Sequence, residues 1–281
     1  MTHKIAIQGE LGSYSHLAAK EIYDNAEVIP CKTFDQALSL TKKNKEVKAV
    51  IPIENSIAGR VADVHYLLPK YKLKIIGESF HKVSHCLIIL KGNKLENIKY
   101  IKSHSHAIGQ CHDKINKYKF MPIIETDTAG AAKKLSEEKN MQSAVIASEL
   151  AAKIYGLEVI EKNFEDISGN TTRFLIMSSD NEDFITIDKE KKYITTCIFK
   201  LKSIPAALYN SLGGFAKHNV NLTKLESFTV NNTFDQALFY LDIEGHFNHP
   251  KINAALEVLK KNTESLDILG VYQASNYRNK D

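Results

Sequence analysis

Of the 37 basic residues in this chain only Arg60, Arg173 and Arg278 are arginine. A guanidinium is a planar fork that can bind a carboxylate through two hydrogen bonds, which an ammonium cannot do. A chain so rich in lysine is expected to keep arginine where lysine would not serve. Arg278 lies in the tail, and no role is expected of it. Arg60 and Arg173 each follow a cluster of small polar residues: Glu54-Asn55-Ser56 before the first, Asn170-Thr171-Thr172 before the second. Such groups beside a fork-shaped cation suit an anionic ligand. The plainer reading of Arg173 is a surface ion pair, and of Thr172 a β-branched strand residue.

Other chemistries find little support. Gly9-Glu10-Leu11-Gly12 has neither the GxGxxG spacing nor the lysine of a phosphate loop, and no GxSxG or HExxH occurs. His104 and His106 stand two apart with no third ligand in pattern, so surface or cap roles are expected, and no metal. Cys31, Cys86, Cys111 and Cys197 are scattered without a CxxC pair, which disfavours a zinc site or a disulfide framework. The net charge of +4 is spread along the chain. The clusters Lys42-Lys43-Lys45 and Lys189-Lys191-Lys192 have no interleaved aromatics and read as solvated surface, not a nucleic-acid patch. No run approaches the roughly 18 to 20 apolar residues of a membrane span. The N-terminus MTHKIAIQGELG has no apolar leader core. A cytoplasmic location is expected, with no membrane and no nucleic-acid partner.

The elements that must hold these residues alternate. KIAIQ (4–8) reads as a strand, and YSHLAAKEIY as a helix after Gly9, Gly12 and Ser13. VKAVIPI (47–53) reads as a buried strand ending at Glu54-Asn55-Ser56. Further strands are expected in 72–90, at 98–103, 121–126, 144–148 and 174–179. Helices are expected from about Ala107, after an N-cap at Asp127 or Thr128, and after Ser148. The pattern predicts a mostly parallel α/β sheet. In such sheets ligands bind where strands end and helices begin, which is where the small polar residues fall. Beyond a polar linker at 181–192, the order β-α-β-β-α-β over 193–275 is ferredoxin-like, and 276–281 form a tail.

Three segments carry a resemblance. IQGELGSYSH, IPIENSIAGRV and GNTTRFLIM are similar to the QGxxGxYSxxA, PIENSxxGxV and NxTRF signatures of prephenate dehydratases. DTAGAA and AVIASELAAKIYGL support them. The C-terminal part resembles the ACT domain of these enzymes, with IPAALYNSL for GALxxxL and NLTKLESFT for NLTxIESRP. The resemblance runs from Lys4 to about Gln273. It implies a two-lobed catalytic domain over 1–180, similar in fold to periplasmic binding proteins. Lobe one would take about 1–78 and 160–180, and lobe two about 79–159.

Residue by residue, the resemblance makes Thr172 the catalytic threonine, with Asn55 and Glu54 beside it. It assigns Arg173, Phe174, Ser56, Tyr14, Ser15 and Thr128 to the substrate cleft. Where many members read SHPQ this chain has Ser103-His104-Ser105-His106, so His106 takes the place of a glutamine. Arg60 either binds ligand or joins the lobes. The implied reaction converts prephenate to phenylpyruvate, water and CO2 with no cofactor. L-Phenylalanine would act as effector at Ala206, Ala207, Leu208, Asn221, Leu222, Glu226 and Ser227. An interface between two ACT copies, rimmed by Gly213-Gly214 and 219–222, would make the protein a dimer or tetramer. GAL has become Ala206-Ala207-Leu208, and ESRP has become Glu226-Ser227-Phe228-Thr229. Chorismate mutase activity is not expected, since no helical domain precedes the first strand. Two alternatives stay open: an arogenate dehydratase, and a two-lobed amino-acid sensor without catalysis.

Overall fold

The computed structural model describes residues 2–179, 188, 191–229 and 237–279. The expected linker therefore falls outside the described residues except at Asp188, Lys191 and Lys192, and so do Lys189 and the last two residues of the tail.

The chain opens with β1 (His3–Gln8), α1 (Tyr14–Ile22), β2 (Ala26–Cys31), α2 (Phe34–Lys43) and β3 (Val47–Asn55). A two-residue β4 (Gly59–Arg60) doubles back on β3, before α3 (Ala62–Tyr71) and β5 (Lys74–Lys82). Next come β6 (Cys86–Leu90), β7 (Tyr100–Ser103), α4 (Ser105–Gln110), α5 (His112–Tyr118) and β8 (Met121–Ile124). Then follow α6 (Thr128–Glu138), β9 (Ser143–Ala147), α7 (Glu149–Ile154), β10 (Leu157–Lys162) and β11 (Thr171–Ser178). The remainder is β12 (Tyr193–Leu201), α8 (Ala207–Lys217), β13 (Leu222–Thr229), β14 (Ala237–Glu244), α9 (Pro250–Lys261) and β15 (Thr263–Gln273), closed by a 3₁₀ turn at Asn276–Asn279.

These strands form three sheets, with orders β2-β1-β3-β11-β5, β10-β6-β9-β7-β8 and β13-β14-β12-β15. The mostly parallel sheet expected of the first 180 residues is thus two sheets, and the second is mixed. β7 runs parallel to β8 and β9, whereas β6 is antiparallel to both β9 and β10. Period-two alternation marks a strand but is silent about the direction of its partner. In the first sheet β1 is parallel to both β2 and β3. The third sheet is antiparallel at β13-β14, β14-β12 and β12-β15.

By contacts the chain divides into two compact units. One comprises 1–40, 46–61 and 80–174, the other 41–45, 62–79 and 175–281. In the first, Ile5, Ile7, Ile51 and Ile53 are fully buried on the central strands. Leu87, Ile89, Ile101, Ile146 and Phe164 fill one face of the second sheet, and Ile88, Val145, Ala132 and Leu135 the other. In the second unit Cys197, Phe199, Phe215, Leu241 and Leu259 form the core under the third sheet. The same unit includes α3 and the first part of β5. His65 of α3 packs edge-on against Phe228 and Tyr240. The backbone of β15 passes β5 so closely that a Cβ at Gly270 would lie 2.0 Å from the Ile75 carbonyl oxygen.

Arg278 is not idle. Its Nε and Nη2 donate to the two carboxylate oxygens of Glu78 at 2.6 and 3.0 Å, and the Glu78 side chain is 0% exposed. Burial of a carboxylate demands such a partner, and only an arginine presents both donors in one plane.

Candidate active site

Thr172 lies on β11, buried, beside the end of β3 that carries Asn55. Asn55 turns its side chain back onto its own loop, where Oδ1 accepts from the backbone N–H groups of Ile57 (3.0 Å) and Ala58 (2.8 Å). These two donors settle which end of the carboxamide is which. Nδ2 must then face β11, where it donates to Thr172 Oγ1 at 2.9 Å and to Asn170 Oδ1 at 2.5 Å. An amide nitrogen cannot accept, so the Thr172 proton points elsewhere. Asn55 thereby leaves the threonine hydroxyl to donate to a group other than itself.

The same polarity runs on. Asn170, with its oxygen occupied, donates through Nδ2 to Gln110 Oε1 at 2.7 Å. Gln110 Oε1 also lies 2.9 Å from His85 Nε2, and His85 Nδ1 lies 2.8 Å from the Tyr14 hydroxyl. The Tyr14 hydroxyl also donates to the Ser84 carbonyl oxygen at 2.9 Å. Tyr14 and Thr172, 158 positions apart in the chain, thus sit at the two ends of one chain of polar contacts. Burial lowers the pKa of His85, although Gln110 and Glu165 pull the other way, and burial holds the Tyr14 phenol well above its usual range. Both side chains are therefore neutral near pH 7.

The loop before α1 is held against the second sheet's helices. Gly12 has φ +90°, and a Cβ there would lie 2.6 Å from Ala151 Cα. Ser148, the N-cap of α7, donates to the Gly12 carbonyl at 2.5 Å, and Tyr155 donates to that of Leu11 at 2.9 Å. Ser13 caps α1 by accepting from the His16 N–H. Ser15 is buried on α1, one residue past Tyr14.

The other expected site residues scatter more. Ser56 acts as a latch: its hydroxyl accepts from the Thr171 N–H at 2.9 Å, and its own N–H donates to the Thr171 carbonyl. Glu54 is opposite Arg60 in the β3-β4 pairing. Adjacent strand residues face opposite sides, so Arg173 points away from Thr172; it is 4% exposed, its guanidinium 6.0 Å over the Phe80 ring. Phe174 is core at 1% exposure. His106 is exposed at the start of α4, on the same helical face as Gln110 four residues later. Its ring is 4.9 Å from that of His104, which caps the helix. Thr128 is the first residue of α6, and the cap is Asp127, which accepts from the Gly130 N–H. Among the described residues no group of three or more His, Cys, Asp or Glu is placed to hold a metal ion.

In the second unit Ala206-Ala207-Leu208 open α8, while Asn221 and Leu222 follow its far end, about 16 Å away for an 11-residue helix. Glu226 and Ser227 lie on β13, an edge strand. Gly214 faces α9, where a Cβ would meet that of Val258 at 2.6 Å, so its role is helix packing.

His85 and Gln110 were not among the expected residues. Ser84-His85 read only as the start of a strand, and Gln110 as one polar position on a short helix. The one usable signal was the loop SHSH, which places α4 and so Gln110 at a strand end.

A mixed α/β chain of several sheets, with a hydroxyl donor oriented by carboxamides, is the frame of an acid–base site. The chain belongs to the prephenate dehydratase family, whose model matches residues 5–182. It is 39% identical over 276 residues to the bifunctional N-acyl-homoserine lactone acylase/prephenate dehydratase of Komagataeibacter europaeus, covering 98% of both chains. It is 34% identical over 287 residues to arogenate dehydratase 2 of Petunia hybrida, covering 97% of this chain and 72% of that one. Among solved structures, prephenate dehydratase from Arthrobacter aurescens in complex with L-Phe matches with a TM-score of 0.88 at 26% identity. The match covers 97% of this chain and 90% of that one.

Proposed function

We propose that the chain is a prephenate dehydratase of aromatic amino-acid biosynthesis, yielding phenylpyruvate, water and CO2. The reading is supported most by the Thr172 hydroxyl, which accepts from Asn55 and so keeps its own proton for another partner. In the reaction the bond from the ring to its carboxylate breaks, and that electron pair enters the ring. The ring C–O bond breaks in turn, and the departing oxygen takes the Thr172 proton and leaves as water. Solvent restores the proton. Aromatisation drives the step, so the residues need only protonate and position. A placed proton donor contributes about 10² to 10⁴-fold, and the remainder comes from orientation in a preorganised polar site. Arg173, on the opposite face of β11, is not assigned the substrate carboxylate.

In this reading residues 1–180 are the catalytic domain, with lobes over about 1–78 plus 160–180 and about 79–159. Residues 193–275 are an ACT domain, which the β-α-β-β-α-β order favours, and it binds L-phenylalanine as a feedback effector. The Arthrobacter relative was solved in complex with L-Phe. The protein acts in the cytoplasm as a dimer or tetramer. Among the described residues no helix is long and apolar enough to cross a membrane.

The test is to incubate purified protein with prephenate and follow phenylpyruvate, with and without L-phenylalanine. A parallel arm with arogenate decides between the two dehydratase substrates. A third arm with an N-acyl-homoserine lactone addresses the second activity named for the Komagataeibacter relative. No phenylpyruvate from prephenate would overturn the reading.

A further inference from the structure

We propose that His85 is a positioning residue for this dehydration, held as the neutral Nε2–H tautomer. Its N–H fixes the Gln110 carbonyl, and its bare Nδ1 faces the Tyr14 hydroxyl. The inference rests on the reaction assigned above and adds a residue to it.

The argument counts hydrogens. The backbone donors of Ile57 and Ala58 fix the Asn55 carboxamide, and that fixes Asn170. Asn170 can then only donate to Gln110. If Gln110 were flipped, its NH2 would face the Asn170 NH2 at 2.7 Å, donor against donor. Gln110 Oε1 is therefore an acceptor, and the His85 Nε2 at 2.9 Å must carry a proton. In a neutral imidazole the other nitrogen is then bare, and the one Tyr14 hydroxyl proton is shared between it at 2.8 Å and the Ser84 carbonyl oxygen at 2.9 Å. The opposite tautomer would set lone pair against lone pair at Gln110, in a site where His85 is 3% exposed and water cannot make up the loss.

His85 is itself held in place. Its backbone N–H donates to Glu165 Oε2 at 2.8 Å, and its carbonyl accepts from the Phe164 N–H at 2.8 Å. The ring meets that of Tyr14 edge-on, with centroids 5.5 Å apart. With its oxygen bound by two donors, Gln110 has an amino group with no partner among the described residues. The imidazole thus aims two N–H donors and leaves them for an anionic substrate.

Substitutions separate the two halves of the role. Glutamine at 85 can place an amide N–H near the Nε2 position and still donate to Gln110, whereas phenylalanine fills the space with no donor. His85→Phe is expected to lower kcat by about 10 to 100-fold with KM changed less than about threefold, the scale of a misplaced catalytic group. His85→Gln is expected to recover most of that loss. Imidazole ¹⁵N shifts of the wild type are expected to report the Nε2–H tautomer at neutral pH. Thermal unfolding of each variant shows that it is folded. A folded His85→Phe variant with wild-type kcat, or an Nδ1–H tautomer, overturns the inference. If the wild type makes no phenylpyruvate, the assigned reaction fails instead, and the ¹⁵N measurement still decides the tautomer.

Discussion

Asn55 Nδ2 donates to the hydroxyl oxygen of Thr172 at 2.9 Å, while Asn55 Oδ1 is bound by two backbone N–H groups of its own loop. The loop 55–58 therefore decides where the threonine proton goes. Replacing Asn55 by Asp keeps the shape and the two backbone contacts but turns the donor into an acceptor, so the Thr172 proton is drawn inward. Asn55→Asp is expected to lower kcat by about 10²-fold or more, and Thr172→Val by about 10² to 10⁴-fold, the contribution of a positioned acid. Steady-state kinetics with prephenate checks both. An Asn55→Asp enzyme with normal kcat would remove the orienting role.

Much of this frame was legible in the residues. β1 and β3 match their expected spans within a few residues, α6 starts where its cap was expected, and the elements of 193–275 follow the expected order. β2 was missed because AEVIPC is a half-exposed edge with a proline, and α3 because Pro69 sits inside it. The polar cluster Glu54-Asn55-Ser56 stood out at a strand end, while the NTTRF segment stood out through its resemblance to the family signature. What could not be read was direction. That Arg173 faces away from Thr172 is visible only once β11 starts at Thr171. That His85 and Gln110 complete the line to Tyr14 depends on residues 25 and 71 positions apart meeting in space. The Arg278 pairing was missed for the same reason, as its partner lies 200 positions away.

The approach of the first loop to α7 makes Gly12 sensitive. Its φ of +90° disfavours any side chain, and a Cβ 2.6 Å from Ala151 Cα forces the two apart. Gly12→Ala is expected to cost about 1 to 3 kcal/mol. It is also expected to raise KM more than it lowers kcat, since Tyr14 is displaced while Thr172 and Asn55 stay in register. Chemical denaturation and kinetics on the same preparation test the pair. Unchanged stability would mean that the contact is not as close as described.

Ala206 enters α8 with φ +60°, a left-handed conformation that costs a residue with a Cβ about 1 to 2 kcal/mol. Related sequences are expected to carry Gly at this place. Ala206→Gly should therefore stabilise the protein by a fraction of that, since glycine also gains freedom when unfolded. A rise of the unfolding temperature by a few degrees is the expected result, and a fall would show that the strain is absent.

Acid should weaken the fold in a defined window. Burial lowers the pKa of both His85 and His16, with Lys20 adding to the effect at His16. In the unfolded chain these groups take protons near pH 6.5, before they do so in the folded one. Stability is then unaffected above that pH and falls as pH drops below it, until the folded groups also protonate. Urea midpoints at pH 7.5 and 5.5 are expected to differ, and His85→Gln should narrow the gap. Equal midpoints in the wild type would refute the account.

The bidentate pair of Arg278 and Glu78 joins the end of the chain to β5 within the second unit. The Glu78 side chain is 0% exposed and that of Arg278 18%, so solvent screens the pair little. The Ser275 N–H also donates to Glu78 Oε1 at 3.1 Å, adding a backbone contact to the same carboxylate. Removing the guanidinium takes two hydrogen bonds and the compensating charge from a buried anion, a change that typically costs about 3 to 5 kcal/mol. Arg278→Ala is expected to lower the unfolding temperature clearly. Arg278→Lys should fall between, because the charge is kept but the fork is lost. Adding Glu78→Gln to Arg278→Ala should recover part of the loss, since a neutral amide is cheaper to bury without a counter-charge than a carboxylate. A double variant no more stable than Arg278→Ala would mean that the arginine acts through packing of its stem rather than through its charge.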